Sequence, residues 1–276
     1  MRPSDHQADL VLDRAISAWP ELHTLILPKV YTASEIYHRK IPIPLPIVTL
    51  ELPLAETEWH NDRVLARILE ACSATIKHLD LGIADRIFVG GKHIEIPDNG
   101  AYRRHIAQGR RPGMEAIEAV APQLHSFHLG SRCSSFYVER ERLEPLPFDY
   151  LQPTINLLRD VRVLKLGFSG WDPLVSLPKL KQLKHLTYFS IVEGLRRDPY
   201  DSYHDVNDKD KEPFYEKLSA TWVEQLFHSY RDLRKLKTLI LPYQLGDRWT
   251  AGQYLKVLDI CEDRNIVFKL GNPSGE

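Results

Sequence analysis

Seven times along the chain an apolar residue is followed at the third and fifth positions by two more. These triplets are Leu22-Leu25-Leu27, Ile47-Leu50-Leu52, Ile76-Leu79-Leu81, Leu124-Phe127-Leu129, Val161-Leu164-Leu166, Leu186-Phe189-Ile191 and Leu236-Leu239-Leu241. The last two members flank one unconstrained residue, as in a short strand that buries one face. A helix-compatible stretch precedes most of them. Val64, Leu65, Ile68, Leu69 and Cys72 predict a helix to about Ala74, with Asn61 as its N-cap. Residues 8–19 carry a similar stripe of Leu12, Ala15, Ile16 and Trp19, which Pro20 ends. Helix, short link, strand is the order of stacked repeats, in which each unit packs on its neighbour.

The first apolar positions of successive units lie 25, 29, 48, 37, 25 and 50 residues apart. Spacings of about 20–29 suit one strand and one return segment, so the longer ones require insertions. Within the first, two β-prone runs flank Gly90-Gly91, which predicts a protruding β-hairpin near 86–96 followed by a basic loop. The longest contains an Asp- and Lys-rich stretch, expected to form a mobile surface loop near 196–213. A helix then resumes from Pro213, with Leu218, Trp222, Leu226 and Tyr230 on one face. Residues 250–264 read as helix and 265–270 as a final strand, with a fraying tail after it. The alternating prolines of Ile41-Pro-Ile-Pro-Leu-Pro46 favour an extended entry to the second strand.

The stretches Ala74–Leu81, Pro122–Leu129, Arg162–Leu166, Leu236–Leu241 and Leu258–Phe268 resemble leucine-rich repeats, including the type found beside F-box segments in fungal proteins. The resemblance spans roughly residues 8–270. It implies an α/β solenoid in one domain over residues 1–276, with a curved parallel sheet on the concave face and helices or irregular segments outside. The asparagine or cysteine customary after the strand is not regular here; Gly82, Gly130 and Gly167 stand just beyond three strands. No F-box is recognisable. As a function the resemblance implies non-catalytic protein recognition, with the substrate-reading part of an F-box-like ubiquitin ligase system as its narrower form and ligase components among the implied partners.

If the paired apolar residues point inward, the positions beside them point out onto the open sheet face. One outward row is then Ile26, Glu51, Asp80, His128, Lys165, Ser190 and Ile240. The neighbouring row is Thr24, Thr49, His78, Ser126, Val163, Tyr188 and Thr238. The candidate partner-binding set is the polar middle of these rows: Glu51, His78, Asp80, Ser126, His128, Lys165, Tyr188 and Ser190. An ordinary solvated sheet face is the competing reading for any one of them. An enzyme or small-ligand site in the polar centre, and a scaffold without a groove ligand, are the competing functional classes.

Composition narrows the partners rather than the fold. With 36 basic and 37 acidic residues, the chain has no global charge bias towards nucleic acid, although a local patch stays open. Tyr102-Arg-Arg-His105 and Gly109-Arg-Arg-Pro112 form the one basic concentration evident along the sequence. Three cysteines, Cys72, Cys133 and Cys261, form no disulfide framework or zinc cluster and fit a reducing compartment. There is neither a signal-type apolar N-terminal region nor a run long enough to span a membrane. A cytoplasmic or nuclear protein without a cofactor or metal is expected.

Specific chemistry is weak. Ser126 and His128 share a strand face about 6–7 Å apart, too far for a nucleophile and its base. His125 and His128 fall on opposite faces, and a His78–His128 pair is too few ligands for zinc. The segment Asp205–Asp210 has Lys209 where a calcium ligand belongs and lacks the required glycine.

Overall fold

The computed structural model describes residues 23–26, 45–51, 60–83, 112–130, 151–167, 171–191, 212–229 and 231–271. These fall into two compact units, residues 1–124 and 125–276. The hairpin expected near 86–96, the basic loop after it, the helix expected over 8–19 and residues 196–211 of the expected loop lie outside the described residues.

In the first unit, β1 (Thr24–Ile26), β2 (Thr49–Glu51) and β3 (His78–Ile83) run parallel in chain order. Leu25, Leu50 and Leu79 stand directly opposite one another, as do Thr24, Thr49 and His78. The inward apolar residues of these strands are buried, and so are the leading ones Ile47 and Ile76. Helix α1 (His60–Ala71) packs against α2 (Pro112–Val120), which a single 3-10 turn extends to Gln123. Leu65, Ile68, Leu69 and Cys72 form the buried stripe the sequence predicts. The helix begins at His60, one residue before the expected cap, so Asn61 lies inside its first turn.

The second unit repeats the arrangement with five parallel strands: β4 (Ser126–Gly130), β5 (Val163–Leu166), β6 (Tyr188–Ile191), β7 (Thr238–Leu241) and β8 (Val267–Leu270). Phe127, Leu164, Phe189 and Leu239 are fully buried and aligned strand to strand. Its helices are α3 (Gln152–Leu157), α4 (Pro173–Lys181), α5 (Glu212–Lys217), α6 (Ala220–Leu226), α7 (Leu245–Arg248) and α8 (Ala251–Asp263). The single helix expected from Pro213 is two. Ser219 adopts extended backbone and its hydroxyl accepts from the Trp222 N–H, starting a new helix. Thr250 and Gln253 close a reciprocal capping box at the start of α8.

One device recurs at the strand entries of both units: a single carbonyl accepts two consecutive N–H groups from the next turn. The His23 carbonyl accepts from Val48 and Thr49, and the Val48 carbonyl from Lys77 and His78. In the second unit the His125, Arg162 and Thr187 carbonyls do the same for Arg162-Val163, Thr187-Tyr188 and Lys237-Thr238. Strand, return segment, tight link and register-matched parallel strand make this an α/β fold of the leucine-rich-repeat solenoid type. No asparagine is needed after β5. The Gly167 N–H continues the ladder to the Leu129 carbonyl at 2.8 Å, and the Trp171 indole N–H donates to the Gly167 carbonyl at 2.6 Å.

Candidate functional site

The side chains that alternate with the buried ones form two outward rows in each unit. In the first unit Glu51 lies opposite Asp80, with Ile26 beyond Glu51, and His78 sits opposite Thr49 in the adjoining row. Glu51, His78 and Asp80 are all half-buried. Two carboxylates at one strand spacing, about 4.8 Å, concentrate negative charge there, an arrangement that favours a cationic or hydrogen-bond-donating group.

In the second unit Ser126, Val163, Tyr188, Thr238 and Val267 form one row, and His128, Lys165, Ser190, Ile240 and Lys269 the other. The Lys165 ammonium lies 5.8 Å from the centre of the Tyr188 ring, so the two rows are joined by a cation–π contact. Ser126, His128, Lys165 and Tyr188 are half-buried, and both ring nitrogens of His128 are shielded from solvent.

Ser190 departs from the expected solvated row. Its relative exposure is 0%, and Ile240 beside it has only 8%. Ser190 is a short side chain one strand spacing from Lys165 on one side and Ile240 on the other, so alternation alone overstated its access. The Ser190 hydroxyl also has no hydrogen-bond partner among the described residues. Lys165 and Tyr188, rather than Ser190, present the accessible chemistry of this stretch.

Among the described residues no three His, Cys, Asp or Glu side chains converge as a metal site would require. Cys72 and Cys261 are buried, unbridged thiols. Burial pushes the Cys72 thiol up to about 11 against a smaller opposing backbone hydrogen bond. It pushes Cys261 up to about 12 despite the nearby positive charge of Arg264. Neither is a nucleophile at neutral pH. Cys133 and both arginine pairs of the sequence-level basic stretch lie outside the described residues. No helix among the described residues is long and apolar enough to cross a membrane.

No protein-family model matches this chain, and no curated protein does. Among solved structures, it is similar to the leucine-rich repeat-containing protein LegL7 from Legionella pneumophila at 12% identity, over 92% of each chain, with a TM-score of 0.27. The repeat fold stands on strand register and burial, and the function on the surfaces those elements expose.

Sequence periodicity identifies the outward rows but misses a second polar feature, the turns that enter the strands of the second unit. Arg159, Arg162, Lys184, Arg231, Arg234 and Lys237 are exposed there. They are scattered through the sequence and meet only because successive turns stack. A signal was present: Arg159, Lys184 and Arg234 each stand two positions before the first apolar residue of three consecutive units.

Proposed function

We propose that this chain is a non-catalytic protein-recognition module that reads its partner through the outward sheet face. The supporting observation is the register-matched pair of rows in the second unit. Ser126, His128, Lys165 and Tyr188 lie side by side on rigid strands, half-exposed, while the alternate positions are locked into the core. Groups held on strands lose little conformational freedom when they are contacted, which favours specific binding over adventitious contact. The first unit presents the Glu51, His78 and Asp80 group as an acidic site of its own.

The experiment is affinity capture from cell extract with the intact chain and with Lys165→Glu. Reversal at Lys165 is expected to abolish capture of the partner while leaving the melting transition in place. Capture that survives simultaneous reversal at Asp80 and Lys165 removes the sheet face as the binding site. A narrower reading, the substrate-reading part of an F-box-like ubiquitin ligase, draws its support from the sequence resemblance. It requires the linker protein of the cullin complex to co-purify, and fails if that linker is absent from the captured material.

A further inference from the structure

The stacked turns at the strand entries of the second unit make a second surface, distinct from the sheet face. The segments over 158–162, 179–187 (which includes the last turn of α4) and 231–237 contain nine lysine and arginine residues but two acidic ones, Asp160 and Asp232. That concentration arises in a chain whose formal net charge is -1. Backbone bonding fixes the spacing. Arg162 donates to the His125 carbonyl at 2.7 Å, Thr187 to the Arg162 carbonyl at 2.8 Å, and Lys237 to the Thr187 carbonyl at 2.8 Å. Arg162 and Lys237 therefore sit at the same height on turns two strand spacings apart, about 9.6 Å.

Among the described residues these charges are largely uncompensated. Asp232 is engaged by Lys181 at 3.2 Å. Arg159, Arg162, Lys184, Arg231, Arg234 and Lys237 form no ion pair among the described residues. The Lys235 ammonium donates to the His185 Nδ1 at 3.4 Å and meets no carboxylate there among the described residues. Burial, and then repulsion from Arg159, lower the proton affinity of the Lys179 ammonium. Accumulated repulsion of this kind disfavours the folded chain and is relieved when an anion docks.

The three turns contain no phenylalanine, tyrosine or tryptophan. A single-stranded nucleic acid would gain phosphate contacts but no aromatic platform for its bases. An extended acidic peptide is the better match, because its alternate side chains, about 6.6–7 Å apart, can follow a stack of cations without any need for stacking. We infer that the strand-entry rim formed by Arg159, Arg162, Lys184, Arg231, Arg234 and Lys237 is a docking surface for an acidic segment of a partner protein.

The test is fluorescence anisotropy with a labelled twelve-residue glutamate- and aspartate-rich peptide, beside a labelled twelve-nucleotide oligouridylate. The peptide is expected to bind the intact chain, to weaken as salt rises, and to lose about tenfold or more in affinity in Arg162→Glu/Lys237→Glu. The milder Arg162→Gln/Lys237→Gln removes charge without adding any, and is expected to show a smaller loss with an unchanged melting temperature. Lys165→Glu, on the sheet face, should leave peptide binding in place, which separates this surface from the one proposed above. Absence of peptide binding, tighter binding of the oligouridylate, or equal affinity in the rim variants would overturn the assignment. So would loss of the peptide on Lys165→Glu alone.

Discussion

The two compact units build the same strand ladder and fasten it differently. Among the described residues of the first unit, small neutral groups tie the outer segments. The Thr75 hydroxyl lies 2.8 Å from the Ile47 carbonyl and 2.9 Å from that of Leu45, and the Gln123 amide donates to the Ser73 carbonyl. In the second unit, small ties such as the Thr187 hydroxyl on the Arg162 carbonyl and Ser176 on Gln152 are joined by large or charged ones. The Trp171 and Trp222 indoles donate to the carbonyls of Gly167 and Pro173, and Trp171 meets Phe214 edge-on at 5.4 Å. The Arg264 guanidinium serves the carbonyls of Phe227, Ser229 and Asp232 while lying over the Phe227 ring. Asp172 joins the start of α4 to Lys217 of α5. In both units these ties satisfy carbonyls that the regular elements leave over. A parallel ladder is thus a common frame, and each return segment needs its own means of closing it.

The largest test of that contrast is Trp222→Ala. Trp222 is among the largest fully buried side chains, on α6, and its indole N–H reaches the Pro173 carbonyl at 3.0 Å. Truncation leaves a cavity and an unsatisfied carbonyl together, with an expected loss of about 3–5 kcal/mol. Trp222→Phe keeps much of the volume and should recover more than half of it. Urea denaturation midpoints measure both. If the phenylalanine variant is as unstable as the alanine one, the hydrogen bond rather than packing holds α4 and α6 together.

Thr75→Val gives the matched experiment in the first unit. One hydroxyl proton can serve only one acceptor at a time, although the carbonyls of Leu45, Ile47 and Cys72 all lie within 3.2 Å. Valine preserves the shape and removes the donor, so the expected cost is about 1 kcal/mol, that of a single net hydrogen bond. A loss as large as that for Trp222→Ala would mean that the hydroxyl organises the whole entry to β2, and would erase the contrast between the units.

These two fasteners also mark where sequence reading succeeds and stops. Every predicted strand whose residues are described is present and parallel, because burial of alternate positions leaves a period in the sequence that no helix imitates. Helix α8 was legible from its apolar spacing, and so was α1, although it starts at His60 and ends at Ala71 rather than at about Ala74. Helix α4 was not, because its buried positions include Ser176 and its interior includes Pro178. Helix α2 was missed because Pro112 and Gly113 open it and look like loop chemistry. In the outward rows, alternation correctly assigned each residue to a face but could not tell that Ser190 is recessed. Such access depends on the size of cross-strand neighbours, which only register reveals. The basic rim was overlooked for the same reason: its segments come together only when successive turns stack, although the recurring basic residue before each strand was there to be read.

The smallest effect expected is that of Asp172→Asn, and its value lies in its pH dependence. Asp172 caps α4 by accepting from the Leu174 and Val175 N–H groups and pairs with Lys217 at 2.6 Å. Burial pushes its carboxyl up. The Lys217 hydrogen bond, then the two helix N–H groups, outweigh that and hold it below the ordinary aspartate value. A carboxyl depressed in the folded state stabilises fully above the unfolded pKa, near 4, and loses that contribution as pH falls through the lower folded value. Asparagine can still cap the helix but carries no charge for Lys217. Because the lysine side chain is 40% exposed, solvent screening limits the pair to less than about 1 kcal/mol. The melting temperature of Asp172→Asn should therefore fall slightly below that of the unaltered chain at pH 7, and the gap should close as pH drops below about 4. Thr75→Val, which removes no ionisable group, should show a gap that does not change over the same range. An Asp172→Asn gap equally indifferent to pH would assign the residue to capping alone and leave the charged fastener between α4 and α5 without energetic weight.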